Sequence, residues 1–227
     1  MPRRSQVVLE PRKSPVQARS AASVAAILEA TIQVLLKVGK GRLTTTRVAL
    51  RAGVSVGTIY QYFPNKSALL QAALKRHMVE ITEAVELVCK EQQGETPRQM
   101  VTAVITAFLQ AKMRDAKSSV ALYSVSSDVD GAKIVQQMEA RFDKAIVRML
   151  ATASEPLTTD PQIVAAVLQG AMAGVGRKML ESSSPEKKLE TLRRELILMA
   201  CSYLDACSAR GTGDISPADN TALLALT

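Results

Sequence analysis

Residues 44–66 read TTTRVALRAGVSVGTIYQYFPNK. Two short helices meeting at a glycine turn account for this stretch. Ala49, Gly53 and Ile59 have the spacing of a helix-turn-helix: a small residue inside the first helix, a turn residue, then an apolar anchor on the second. Ser55 stands where a side-chain oxygen caps the second helix, leaving Val56, Gly57 and Thr58 as its exposed first turn. In this motif that turn meets base edges. The spacing predicts a DNA reader.

Charge divides along the chain in the same sense. Residues 1–66 hold 11 Lys+Arg against 2 acids, while residues 67–227 hold 18 against 19. The formal net charge of +8 therefore belongs to the N-terminal third. A basic module on a near-neutral body fits an anionic partner bound at one end only.

Composition excludes several classes. Nearly half of the 227 residues are apolar, enough for one compact body and a small accessory domain. No apolar stretch reads as approaching the roughly 20 residues of a membrane span, and the start MPRRSQ lacks the apolar block of a secretory signal. The expected compartment is the cytoplasm, with no membrane partner. Cys89, Cys201 and Cys207 are odd in number and far from any metal-binding spacing, so they predict buried apolar roles in a reducing compartment. No metal site and no cofactor is expected. His77 is the only histidine and sits in a helical pattern, which favours a structural or surface role. Gly39-Lys-Gly41 lacks the length of a phosphate loop, and Gly170, Gly174 and Gly176 do not follow a strand-like run. No catalytic residue is assigned, and the chain reads as a non-enzyme.

The remaining pattern is helical throughout. Residues 1–18 are basic, broken by Pro2, Pro11 and Pro15, and predicted to be a disordered tail. A first helix runs from Ser20 to Val38 on a stripe of Val24, Ile27, Leu28, Thr31 and Leu35, and Gly39 ends it. Asn65 caps a long helix carrying Leu70, Leu74, Met78, Ile81, Val85 and Val88 to about Gln92. Helical patterns recur at 97–113, 117–127, 131–153, 160–181 and 186–208, and no strand signature interrupts them. The expectation is an all-α chain of about nine helices. Its N-terminal helix-turn-helix domain spans 19–67, a larger helical ligand-binding and dimerisation domain spans 68–210, and a mobile tail spans 211–227.

The stretch from about Ala26 to Leu74 resembles the TetR family of bacterial transcriptional regulators. The residues that carry the resemblance include Ile27-Leu28-Glu29-Ala30, Gly39, Thr44 to Thr46, Val48-Ala49, Ala52-Gly53-Val54-Ser55, Gly57-Thr58-Ile59-Tyr60, Tyr62-Phe63, Asn65-Lys66 and Leu69-Leu70. Leu36 departs from the family's usual aromatic at the end of the first helix. The resemblance implies a homodimer holding two such motifs over successive major grooves, with a C-terminal domain that forms the dimer interface and encloses a small-molecule pocket. Ligand binding would change the separation of the motifs and release DNA.

Chemistry distributes the roles. Thr45 and Thr46 open the first short helix, where free amides and hydroxyls suit a phosphate. Ser55 caps the reading turn; Val56 suits a thymine methyl, and Thr58 suits phosphate or base. Gly57 carries a modest helix cost, consistent with a close duplex. Tyr60 is expected to offer its hydroxyl to DNA, Tyr62 and Lys66 to hold phosphates, and Phe63 to lie in the core. Val167, Gly170, Ala171 and Gly174 give a small-residue face, and Leu192, Leu196, Met199 and Tyr203 an apolar one; together they are the expected two-fold interface. Val104, Phe108, Met113, Tyr123, Met138, Phe142 and Met172 are the expected lining of a pocket for a small, largely apolar effector. Two readings stay open: a ligand-responsive repressor on a palindromic operator, and a ligand-independent architectural DNA protein. A closed C-terminal core with no cavity would favour the second.

Overall fold

The computed structural model describes residues 18–182 and 185–209, so the predicted tail at 211–227 and all but the last residue of the predicted tail at 1–18 lie outside the described residues. Among those described, nine α-helices and one 3₁₀ turn account for the secondary structure, with no strand. They are α1 (Ala18–Arg42), α2 (Thr45–Ala52), α3 (Val56–Tyr62), α4 (Lys66–Glu91), α5 (Pro97–Met113), α6 (Ala116–Val125), the 3₁₀ turn Ser126–Asp128, α7 (Gly131–Leu150), α8 (Pro161–Leu180) and α9 (Pro185–Ala209).

Side-chain caps set where these helices begin. Asn65 Oδ1 accepts from the Ala68 amide at 2.9 Å and opens α4. Thr96 and Gln99 form a reciprocal capping box ahead of α5, with Pro97 in its first turn. Asp115 and Asp160 cap α6 and α8. Left-handed glycines stop the chain where the sequence places breaks: Gly39 at φ 73° interrupts α1, and Gly53 at φ 69° closes α2. Three ends differ from the expected spans, the first because α1 resumes beyond the kink at Gly39 and reaches Arg42 instead of ending at Val38. The helix predicted at 117–127 tightens into the 3₁₀ turn after Val125, because Asp130 takes a left-handed φ of 56° and Gly131 folds back on Ser126. The next helix stops at Leu150 rather than 153. There the Ser154 amide donates to the Glu95 carbonyl at 3.0 Å, and Thr152 Oγ1 accepts from the Gly94 amide at 3.1 Å.

Two apolar clusters hold the chain together. One gathers Ile27, Leu35, Val48, Ile59 and Phe63 of the N-terminal helices with Leu70 and Leu74 of α4. It continues into Leu122, Val125, Ile134 and Met138 of α6 and α7, so the boundary expected at residue 67 crosses a shared core. The other packs Ile81 and Val85 of α4 with the inner faces of α5, α7, α8 and α9. Each fully buried Leu, Ile or Phe contributes on the order of 1.5–3 kcal/mol. Phe108 and Phe142 meet edge to face at 5.7 Å, and Arg141 grips Glu86 through two bonds of 3.0 and 2.7 Å. α4 thus serves both clusters.

All three cysteines are buried, and burial, with Glu86 nearby, pushes the Cys89 thiol up to about 12. Two helical segments, Ser20–Arg42 and Pro161–Leu180, are long and apolar enough to cross a membrane, which corrects the expectation that none approaches that length. Part of each apolar surface is spent on packing, Ile27, Leu28 and Leu35 in one cluster and Val164, Leu168 and Met172 in the other, while Leu36, Ile163 and Val167 stay exposed.

Candidate nucleic-acid interface and internal cavity

Local capping builds the N-terminal face. Thr44 accepts from the Arg47 amide at 3.2 Å and starts α2. Ser55 Oγ accepts from the Thr58 amide at 3.0 Å, starts α3, and lies 2.9 Å from the Thr58 hydroxyl. Val48, Ala49, Ile59 and Phe63 turn inward. That leaves Thr46, Arg47, Leu50 and Arg51 of α2 exposed beside Gly57, Tyr60 and Gln61 of α3, with Val56 and Thr58 half-buried between them. A Cβ on Gly57 would meet only Ser55 Oγ, at an ordinary 3.6 Å. The fold itself does not require glycine there. From residue 30 to residue 79 the chain has no Asp or Glu and eight Lys or Arg. No acid within this stretch offsets its positive field.

The expected DNA contacts divide. Thr45 and Tyr60 face each other across α2 and α3, with hydroxyls 3.3 Å apart. Lys66 begins α4, half-buried, directly after its capping residue. Tyr62 departs from expectation: it is half-buried, and its hydroxyl pairs with Ser20 Oγ at 2.9 Å, bracing α3 against α1.

A cavity of about 70 Å³ lies where α4, α5, α6, α7 and α8 converge. Of the seven residues expected to line a pocket, Phe108, Tyr123, Met138, Phe142 and Met172 lie on its wall. Val104 and Met113 do not. Val104, 1% exposed, is packed within the body's core, and Met113 rests against that core from outside. Thr82, Gln169 and Lys112 supply the wall's buried or half-buried polar groups, and Glu139 stands at its exposed edge. Behind it, Ser119 Oγ donates to the Lys112 carbonyl at 3.0 Å, so the hydroxyl accepts from His77 Nε2 at 2.9 Å. His77 is a buried structural residue, and burial lowers its pKa.

On the opposite side of the body, Val167, Gly170 and Gly174 of α8 are exposed and Ala171 is half-buried. Ile163, 55% exposed, extends the same stripe. The α9 face is rotated from expectation. Leu196 is buried in the core, Leu192 and Tyr203 are half-buried against it, and Leu198 joins Met199 on the outside at 61% exposure. The cause is packing on both α5 and α8, which draws in Leu196, Ala200, Leu204 and Cys207.

Comparison with known proteins agrees with this arrangement. A family model described as "Bacterial regulatory proteins, tetR family" matches residues 27–73, and one described as "Tetracyclin repressor-like, C-terminal domain" matches residues 96–204. The chain is 32% identical over 144 residues to the HTH-type transcriptional repressor KstR of Rhodococcus jostii, covering 63% of this chain and 65% of that protein. Against the repressor of the same name from Mycolicibacterium smegmatis it is 31% identical over 144 residues, covering 63% of this chain and 69% of that one. The chain belongs to the TetR family. It spans just under two thirds of the length of the Rhodococcus protein. In fold it matches the crystal structure of a TetR transcription regulator from Haloarcula marismortui, with TM-score 0.66 at 21% identity over 82% of this chain and 98% of that one.

Three features of this TetR-family chain escaped the sequence reading. Arg47 and Arg51 stand on the exposed face of α2, and the acid-free stretch around them was the available signal. Ile163 continues the α8 stripe one turn back. Lys112 lies four residues after Phe108 on the buried stripe of α5, and a lysine in a core register was visible in principle.

Proposed function

We propose that this chain is a DNA-binding transcriptional repressor that acts in the cytoplasm as a homodimer on a palindromic operator and is released by a small molecule. The course of α4 carries the reading. It starts with Lys66 beside the basic face and, three turns on, forms a cavity wall through Met78, Ile81 and Thr82. Met138 belongs to the N-terminal cluster and also lines the cavity. A drug-sized molecule needs about 300 Å³ or more, so filling this site means spreading α4 from α7. That displacement moves α3 with it. The cavity is what favours this reading over an architectural protein without a ligand.

Two symmetry-related reading turns suit the exposed α8 and α9 faces as the interface. A Cβ at Gly170 or Gly174 would meet nothing within 4 Å, which leaves room for a partner's helix. In this arrangement Thr46 and Lys66 hold phosphates, Val56, Gly57 and Thr58 face the bases, and Arg47 and Arg51 add positive charge.

The test is selection of bound genomic fragments followed by altered spacing. Half-site centres are expected about 34–36 Å apart along the duplex. Inserting about half a helical turn between them should abolish binding, and unchanged affinity would overturn the two-fold reading. Lys66→Ala should lower the salt slope by about 0.9 per lost phosphate contact, hence about 1.8 per dimer, with sequence preference intact.

A further inference from the structure

We infer that the molecule this cavity takes is an amphiphile with an apolar body and a terminal carboxylate, and that Lys112 and Tyr123 receive the carboxylate. The inference rests on reading the cavity as the effector site. It narrows the expected apolar effector to an anionic one.

Lys112 is 4% exposed, yet every partner of its ammonium is neutral. Nζ donates to the Tyr123 hydroxyl at 3.1 Å and lies 5.3 and 4.8 Å from the Phe108 and Tyr123 ring centres. Among the described residues no carboxylate oxygen lies within 4.0 Å of it. The neighbouring acids are engaged elsewhere: Glu80 with Arg76, Glu86 with Arg141, and Asp115 with the Ser118 amide and hydroxyl. Glu139 is on the cavity wall but exposed and unpaired with Lys112. A buried ammonium without a counter-charge is a costly arrangement unless something supplies one.

The cluster is also short of acceptors. The Tyr123 hydroxyl accepts from Lys112 and turns its own proton toward Met78 Sδ at 4.0 Å, a weak acceptor at long range. Two N–H bonds of the ammonium and one O–H therefore lack a strong acceptor. A carboxylate accepts from both residues at once.

The lysine is held in place. Its carbonyl is fixed by Ser119, which His77 holds in turn. Gly176 of α8 makes room for its stem: a Cβ there would stand 3.1 Å from Lys112 Cδ and 3.2 Å from Phe108 Cε1. Around this polar corner the wall is mostly apolar, broken by Thr82, Gln169 and, at its exposed edge, Glu139, and its thioethers at Met78, Met138 and Met172 adapt to the body of a ligand.

Calorimetric titration of the full chain without DNA tests this, using decanoate against decanol and phenylhexanoate against phenylhexanol. At least one acid should outbind its neutral mate by about 10- to 100-fold, the worth of a hydrogen bond to a charged group. Lys112→Met should bring that ratio to about one, Lys112→Arg should keep most of it, and Tyr123→Phe should lower it several-fold. Melted without ligand, Lys112→Met should have a higher Tm than wild type, because an unmatched buried charge is gone. The inference is overturned if no acid outbinds its mate, if the ratio survives Lys112→Met, or if that variant melts lower. Failure of Lys112→Met to fold counts as the lower-melting outcome and overturns the inference. Acids that bind as expected without releasing operator would overturn the repressor reading and leave this one standing. Release by a neutral compound that the acids do not outbind would do the reverse.

Discussion

The N-terminal module and the helical body dispose of charge in opposite ways. Between residues 30 and 79 the chain carries eight cations and no acid; Lys40 reaches Asp128 and Arg76 reaches Glu29 and Glu80, while Lys37, Arg42, Arg47, Arg51 and Lys75 face outward with no ion pair among the described residues. The body matches its charges internally, Arg141 with Glu86, Arg98 with Asp205 and Arg193 with Glu190. Its unmatched buried cation, Lys112, points inward. An outward uncompensated field suits a polyanion met from solution, and an inward one suits a small anion that must enter. Partner size is thus written in where the excess charge sits.

The comparison breaks if the two regions are mechanically separate. Phe63 is the sharpest probe, because its cluster runs from α1 through Leu70 and Leu74 into Leu122 and Ile134. Phe63→Ala should cost about 3–5 kcal/mol. Urea unfolding followed by circular dichroism should remain a single transition at a lower midpoint. Two resolved transitions, with the body's unmoved, would make the module an independent unit and leave α4 without its coupling role.

Glycines sharpen the contrast with a smaller effect. A Cβ at Gly131 would stand 2.6 Å from the Ser126 carbonyl oxygen, a backbone atom that cannot swing away. Gly131→Ala should therefore destabilise by about 1–3 kcal/mol. Gly57→Ala should do the opposite, gaining up to about 1 kcal/mol of helix propensity, since its Cβ meets only Ser55 Oγ at 3.6 Å. That stabilised variant should nonetheless bind operator more weakly. Equal or tighter operator binding by Gly57→Ala would remove the reading turn from the duplex surface.

Ser55→Ala comes next, at about 1 kcal/mol for a lost N-cap. The hydrogen bond its Oγ accepts from the Thr58 amide and its hydroxyl contact with Thr58 both disappear, so the thermal midpoint and operator preference should shift together. A shift in stability alone would leave Thr58 out of base reading.

Capping explains why so much was legible beforehand. Asn65, Thr96 and Asp160 act within three residues of themselves, so they set helix starts from local sequence alone. The helix-turn-helix is equally local, its glycine turn and serine cap falling within a few residues. Tyr62 was misread because its partner, Ser20, lies 42 positions away. The α9 stripe was misread because periodicity defines an apolar arc without saying which edge faces inward. Leu196 and Leu198 exchange roles according to how α5 and α8 receive the helix. Lys112 needed both kinds of information: its register was local, but the absence of a carboxylate beside it depends on four other helices.

The smallest expected effect tests the post behind the cavity. His77 is the chain's only histidine, and burial lowers its pKa from the ordinary 6.5 despite the carboxylates of Glu80 and Asp115 nearby. With its folded pKa below the unfolded one, the unfolded state binds the proton first as pH falls. Stability is thus complete above 6.5 and declines as pH falls from there through the folded value. The hydrogen bonds agree with this sign. Ser119 spends its proton on the Lys112 carbonyl, so neutral His77 with hydrogen on Nε2 satisfies the pair. Protonation adds a second donor in a buried site without improving that bond. Urea midpoints taken between about pH 7.5 and 5.5 should fall for wild type. His77→Gln, which keeps a donor for Ser119, should flatten that part of the profile. An identical slope in the variant would assign the acid sensitivity to carboxylates and leave His77 as packing alone.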